Sequence, residues 1–281
     1  MNKFTIHSLD NGTLDIAEIA NFPGGEVRVK LKAGHHLPSA VRIEAYLFNS
    51  NDIITLIMLV DAIRNMRNRI ERVERIRLTM PYIPYARQDR VCAEGEAFSM
   101  KVFAKLINSL DFASIVVWDA HSDVSVALLD RVINVERWRL MAQHNELMKW
   151  LNLGGEKAYL LSPDAGAVKK SYDTVKNMPD VFKGIIFAEK IRDPNTGKIL
   201  RTHIAELPDD IATSKVIVAD DLIDGGRTFL EIANWFTDVE GRPKPKEIAL
   251  YATHGIFSQG KTVFNGLFSH VWSTVDFTDY K

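Results

Sequence analysis

Residues 216–228 read Val-Ile-Val-Ala-Asp-Asp-Leu-Ile-Asp-Gly-Gly-Arg-Thr, a stretch whose residue types suit one kind of chemistry. Val216, Ile217 and Val218 predict a short buried strand that stops at Asp220 and Asp221. Asp224, Gly225 and Gly226 predict a turn, and Thr228-Phe229-Leu230-Glu231-Ile232 resumes with helical spacing. A strand, a glycine turn and a helix start together can hold a phosphate. Backbone N–H groups close on the anion, and the helix N-terminus adds partial positive charge. Acids placed against that anion would repel it, so Asp220 and Asp221 are suited to accept hydrogen bonds from neighbouring hydroxyls. Acids plus an anion loop point to a sugar phosphate. The plainer alternative is an ordinary strand–loop–helix corner with solvated acids.

Four further segments narrow the reading: Met80–Arg90 (Met-Pro-Tyr-Ile-Pro-Tyr-Ala-Arg-Gln-Asp-Arg), Trp118-Asp119-Ala120-His121-Ser122-Asp123, Ser162-Pro163-Asp164-Ala165-Gly166 and Ala252-Thr253-His254-Gly255-Ile256-Phe257-Ser258. With the 216–228 loop, they resemble, in order, the motifs of the ribose-phosphate diphosphokinases, the phosphoribosyl diphosphate synthetases. The chain resembles a divergent and shortened member of that family. Transferases that only consume phosphoribosyl diphosphate share the loop without the Tyr-Ala-Arg-Gln-Asp and Asp-Ala-His segments.

The resemblance implies an α/β fold of two related phosphoribosyltransferase-like domains, each a mainly parallel sheet flanked by helices. They would span 1–135, contacting ATP, and 136–281, binding the ribose phosphate, with the last residues packing back on the first domain. It implies Mg-dependent transfer of the β,γ-diphosphoryl group of ATP to the anomeric hydroxyl of a ribose phosphate, giving AMP. Phe22, Glu26, Arg87, Gln88 and His121 would then contact ATP. Asp164, Asp220 and Asp221 would serve the ribose, and Asp224, Gly225, Gly226, Arg227 and Thr228 its 5-phosphate. His121 and Asp164 would share a magnesium ion; a hard cation prefers the oxygen ligand, and His121 is alternatively a phosphate contact. Lys190 and Arg192, before the Pro194-Asn195-Thr196-Gly197 turn signal, resemble the Lys-x-Arg of the family's mobile catalytic loop, where they would neutralise charge on the transferring group. Lys190, Arg192 and His121 are the catalytic candidates. An ion pair with Asp89 is the structural alternative for Arg87.

The rest of the sequence must position these groups. Its 281 residues accommodate two compact domains, and 46% hydrophobic with 25% charged residues is ordinary globular chemistry. A formal charge of −1 argues against bulk nucleic-acid binding. Cys92, the single cysteine, excludes an internal disulfide and suits a reducing cytoplasm. No apolar stretch approaches the ~18–20 residues of a membrane span, and the N-terminus lacks a signal-peptide core. Strands are predicted at Arg42–Phe48, Ile76–Met80, Ser114–Trp118, Lys157–Leu161, Ile185–Ala188, Lys215–Ala219, Glu247–Thr253 and Val271–Val275. Helices are predicted at Asp52–Val73 (basic face Arg64, Arg67, Arg69 and Arg72), Phe98–Leu110, Glu136–Trp150, Ala167–Lys176 and Thr228–Asp238. Arg87, His121, Asp164, Asp220 and Asp224 all follow predicted strands, where open α/β sheets bind ligands.

Departures from the family pattern sharpen the expectations. Phe22-Pro23-Gly24-Gly25-Glu26 resembles the family's adenine-reading segment with Gly24 replacing an Asp or Asn. Val91–Glu96 supplies two glutamates where relatives carry basic residues used in phosphate and ADP regulation. The N-terminal βα unit before Phe22 is too short for the family's first helix, and a closing segment after Val275 is missing. A homo-oligomer of at least two chains is expected, without assuming a hexamer. In the loop, Gly225 removes a Thr side chain and opens space, while Arg227 adds a fork-shaped donor. A terminal monophosphate needs neither change, whereas ADP-ribose, an acceptor tied to NAD metabolism, could use both; ribose 5-phosphate is the first expectation for the acceptor and ADP-ribose the alternative. A non-catalytic regulatory relative of the synthetases is a third reading, opposed by the retention of Lys190, Arg192, His121 and Asp164.

Overall fold

The computed structural model describes residues 2–8, 12–66, 73–192, 199–237 and 242–280, with only the backbone of 190–192 and 199–201. Two compact units emerge, Met1–Val135 with Tyr280, and Glu136–Asp279. Among the described residues no helix is long and apolar enough to cross a membrane.

In the first unit, β1 (Phe4–Ser8), β2 (Gly12–Leu14), β3 (Ala17–Asn21) and β4 (Val27–Leu31) replace the expected N-terminal βα unit. Next come β5 (Ala40–Ala45), α1 (Ser50–Asn65), β6 (Arg75–Thr79), α2 (Ser99–Asn108), β7 (Ser114–Trp118), α3 (Asp123–Leu128) and β8 (Val132–Val135). The sheet order is β2-β1-β5-β6-β7-β8, parallel from β5 to β8, while β3 and β4 form a separate antiparallel hairpin. A capping box starts α1: the Asn49 side chain accepts from the Asp52 N–H, and Asp52 accepts from the Asn49 N–H. Its apolar stripe of Leu56, Leu59, Val60 and Ile63 is buried in the first core. The helix ends at Asn65 because Met66 is extended (ψ 101°), short of the expected Val73. Arg67, Arg69 and Arg72 lie outside the described residues.

The second unit runs α4 (Arg137–Gln143), α5 (Asn145–Asn152), β9 (Ala158–Ser162), α6 (Val168–Asn177), β10 (Phe182–Arg192), β11 (Ile199–Ile204), β12 (Lys215–Ile223), α7 (Arg227–Thr237), β13 (Glu247–Gly255) and β14 (Val271–Asp276). Its sheet, β11-β10-β9-β12-β13-β14, is parallel except for the antiparallel β10–β11 pair. One helix was expected over Glu136–Trp150; the backbone breaks at His144, whose ring Nδ1 accepts the Leu147 N–H at 3.3 Å and starts α5 anew. Strand β12 is buried on both faces, which is why its apolar run is continuous. Val216 and Val218 pack with Phe229, Ile232 and Phe236 of α7. Ile217 and Ala219 join the opposite cluster of Leu147, Trp150, Tyr251 and Trp272.

Candidate active-site residues

Strand β12 does not stop before its acids. It pairs with β13 as far as Ile223↔Gly255, so Asp220 and Asp221 lie inside the strand, with Asp220 opposite Ala252. The ladder satisfies the local backbone while the side chains are aimed by the pleat. Asp224 and the two glycines then turn the chain into α7, whose first N–H groups have no helical carbonyl to bond. Gly226 accepts the first helical bonds, from Phe229 N–H (2.9 Å) and Leu230 N–H (3.0 Å).

The two glycines are not equivalent. At Gly226 φ is +82°, and a β-carbon would stand 2.5 Å from Cζ of the buried Phe264. At Gly225 a β-carbon would meet only Ser258 Oγ and Gln259 Cγ, both at 3.8 Å. The Ala252–Ser258 segment thereby delivers the Ser258 hydroxyl beside the loop. Room for a side chain exists at Gly225, as expected, whereas Phe264 fills the corresponding space at Gly226. Arg227 is 72% exposed in its side chain and donates from Nε to Glu231 Oε1 at 2.8 Å, one helical turn on. The other Glu231 oxygen accepts the Thr202 hydroxyl at 2.8 Å.

Asp164 follows β9 and caps the turn into α6, its Oδ1 accepting Gly166 N–H (3.0 Å) and Ala167 N–H (3.2 Å). Asp220 Oδ1 accepts the Asp221 N–H at 2.9 Å, and Lys170 Nζ stands 3.9 Å from Asp221 Oδ1. Burial pushes the Asp220 carboxyl well above the usual carboxylate range, the charges of Asp221 and Asp164 push it further, and Arg137 opposes them. Among the described residues no group of three or more His, Cys, Asp or Glu forms a ready cage for a metal. A magnesium ion carried by nucleotide phosphates needs only one or two protein carboxylates. Asp164 and Asp221, whose charges both act on Asp220, are carboxylates that could meet that requirement.

In the first unit, β6 and β7 pair in parallel, and the pairing continues through Met80 N–H to Val116 O (2.8 Å) and Trp118 N–H to Pro81 O (3.0 Å). The Met80–Arg90 and Trp118–Asp123 segments therefore leave the sheet side by side. Two non-glycine residues there take left-handed backbone, Tyr85 (φ 63°) and Asp119 (φ 42°). Such conformations persist where the surroundings over-determine them. Asp119 N–H is held by Val135 O at 2.8 Å and Ala120 N–H by Asn134 Oδ1 at 3.0 Å.

Asp89, which sequence reasoning weighed only as a partner for Arg87, is buried and accepts Arg90 Nε at 2.9 Å. The Arg90 hydrogen bond holds its carboxyl below the usual range against the opposing effect of burial, and Ser122 and His121 add to the lowering. Asp89 thus ties the two segments together, leaving Arg87 and Gln88 exposed beside it. The β3–β4 hairpin presents Phe22 (51% exposed) and Glu26 at its mouth, closed by Phe22 N–H to Glu26 O at 2.8 Å. In the 91–96 loop, Glu96 Oε2 accepts both Cys92 N–H (2.8 Å) and Ala93 N–H (3.2 Å). The chain's own carboxylate occupies the place those amides would offer an anion.

Lys190 and Arg192 do not lie on a loop. Strand β10 extends four residues past the expected Ala188, pairing Lys190 with Thr202 and Arg192 with Ile199 across β11. Their side chains, and the 194–197 turn, lie outside the described residues.

Residues 6–110 match the family model for the N-terminal domain of ribose phosphate pyrophosphokinase. The ribose-phosphate pyrophosphokinase of Pyrococcus abyssi is 27% identical over 255 residues, covering 89% of this chain and 80% of its own. That of Aquifex aeolicus is 28% identical over 247 residues, with 86% and 72% covered. The crystal structure of phosphoribosylpyrophosphate synthetase from Mycobacterium smegmatis shares the fold, with a TM-score of 0.67 at 18% identity over 94% of this chain and 87% of that one. On these matches the chain is similar over most of its length to the ribose-phosphate pyrophosphokinases, transferases of the diphosphokinase type, and residues 6–110 match the model of their N-terminal domain.

Proposed function

We propose that the protein transfers the β,γ-diphosphoryl group of ATP to the anomeric hydroxyl of ribose 5-phosphate, releasing AMP. The observation that carries this reading is the β12–α7 corner, where adjacent acids sit inside the last residues of a buried strand and a glycine-dependent turn opens a helix. Asp220 and Asp221 accept hydrogen bonds from the ribose hydroxyls. Asp224, Gly225, Gly226, Arg227 and Thr228 surround the 5-phosphate, chiefly through backbone N–H groups. Phe22, Glu26, Arg87, Gln88 and His121 serve ATP, with Phe22 able to stack on the base and Arg87 to fork onto phosphate. Magnesium, held by Asp164 with His121 as a second candidate, would neutralise phosphate charge. Lys190 and Arg192 stabilise charge on the transferring group, so catalysis is mostly positioning and electrostatics. A protein with this assignment and Mg-ATP forms AMP only when the acceptor is added; AMP formation that ignores the acceptor would overturn it.

ADP-ribose is a second acceptor reading, favoured by the open space at Gly225. Arg227 discriminates the two. Its guanidinium already pairs with Glu231 and is largely solvated, so R227A is expected to change kcat/KM for ribose 5-phosphate by less than about threefold. If a second phosphate instead draws Arg227 away, R227A should cost ADP-ribose a charge-assisted bond, a roughly 10- to 150-fold loss in kcat/KM. Equal losses for both acceptors would assign Arg227 to the shared phosphate.

Regulation follows from the 91–96 loop. With Cys92 and Ala93 N–H groups committed to Glu96, low-millimolar inorganic phosphate is expected not to activate, and ADP to compete with ATP in a simple hyperbolic manner. Initial rates across a phosphate titration check this. Strong activation or a sigmoidal ADP response would locate an anion site elsewhere on the chain.

A further inference from the structure

Arg137 is fully buried, with 2% exposure, and it heads the set of large side chains withdrawn from solvent. It opens α4, two residues past the boundary between the units. Its guanidinium donates from Nη1 to the Ala219 carbonyl (3.0 Å), from Nη2 to Ser171 Oγ (3.3 Å) and from Nε to Thr174 Oγ1 (3.4 Å). Both hydroxyls have their own protons committed, Ser171 to Ala167 O (2.8 Å) and Thr174 to Lys170 O (2.7 Å). They can therefore only accept from the arginine, which fixes the plane of the fork. All three of these partners are neutral. A buried cation among neutral groups is unfavourable unless an anion stands nearby to offset it. The Ala219 carbonyl that Arg137 holds belongs to the peptide of Asp220, so the guanidinium is tied to β12 directly before its two acids, Asp220 and Asp221. Lys170 of α6 stands 3.9 Å from Asp221 Oδ1 with a partly exposed side chain.

We infer that Arg137 is a positioning residue for acceptor binding: it clamps β12 to α6 at Ala219 and supplies the buried positive charge that lets Asp220 and Asp221 stand side by side towards a sugar. This rests on the assignment of those acids to the acceptor's hydroxyls. Arg137 itself touches no substrate. A merely structural arginine would alter folding stability and leave the relative affinities for acceptor and ATP alone, whereas a positioning arginine acts on the acceptor selectively.

Isothermal titration of ribose 5-phosphate, and separately of Mg-ATP, into the unmodified protein, R137Q and R137K tests the inference. R137Q is expected to weaken ribose 5-phosphate by at least about tenfold with ATP affinity held within about twofold, and R137K, which keeps the charge, to recover most of the loss. A folded R137Q with unchanged acceptor affinity, parallel losses for both ligands, or R137K no better than R137Q would each overturn it. If R137Q does not fold, T174A removes one guanidinium acceptor and leaves the charge; about threefold weaker acceptor binding is then expected, and unchanged binding overturns the role. Failure of the unmodified protein to bind ribose 5-phosphate would instead remove the acceptor assignment on which the inference stands.

Discussion

G226A is expected to lower the thermal midpoint by about 6–12 °C and kcat/KM for the acceptor by about 100-fold, with G225A close to neutral in stability. The cause is steric. A residue with a β-carbon at φ +82° is strained by about 1–2 kcal/mol. Its Cβ would also stand 2.5 Å from Phe264 Cζ and 2.8 Å from Cε1. Phe264 is 1% exposed and packed edge-on against Phe257 and Phe268, so the ring has nowhere to go. Overpacking of this kind adds about 1–3 kcal/mol. The alternative is for the loop to move, and a shift of about 1 Å in the N–H groups around a phosphate is worth about 100-fold in rate. Calorimetric melting and acceptor kinetics on both variants decide the matter. G225A as damaging as G226A, or an undisturbed G226A, would show that the loop does not depend on Phe264.

K190A is expected to reduce kcat by about 100-fold while acceptor KM stays within about twofold. The lysine stands on a strand paired to β11 at Thr202, and Thr202 bonds Glu231 of α7, whose other oxygen holds Arg227. The hairpin is thereby tied to the helix that the 224–226 turn begins. A basic group on a tied strand stabilises developing charge without reorganising, which is where electrostatic catalysis gains most. Steady-state kinetics with varied acceptor and saturating Mg-ATP separate the possibilities. A raised acceptor KM with normal kcat would make Lys190 an acceptor-binding residue.

Some of this was legible in the sequence for identifiable reasons. The run Val216–Ala219 is apolar without alternation because both faces of β12 are covered, and that pattern announces a buried parallel strand. The strand's continuation through Asp220 and Asp221 was hidden, because acids normally end such runs and only pairing with β13 overrides that preference. Gly225 and Gly226 look alike in sequence; Phe264, 38 positions away from Gly226, distinguishes them. Nothing in the sequence sets Arg137 apart within its helix, since its acceptors come from α6 and β12. The break at His144 had no composition signal, histidine being an uncommon helix cap. Asp89 was visible as a residue and invisible as a tie, because Ser122 and His121 reach it only once β6 and β7 are neighbours.

In the proposed reaction two phosphoryl groups move together from ATP to a sugar. Phosphorus NMR of a stoichiometric mixture of protein, Mg-ATP and ribose 5-phosphate tests it directly. AMP and an equal amount of diphosphate bonded to the anomeric carbon are expected, with no ADP. ADP appearing with a singly phosphorylated sugar, or no turnover with either ribose 5-phosphate or ADP-ribose, would contradict it, the latter leaving a non-catalytic regulatory relative in its place.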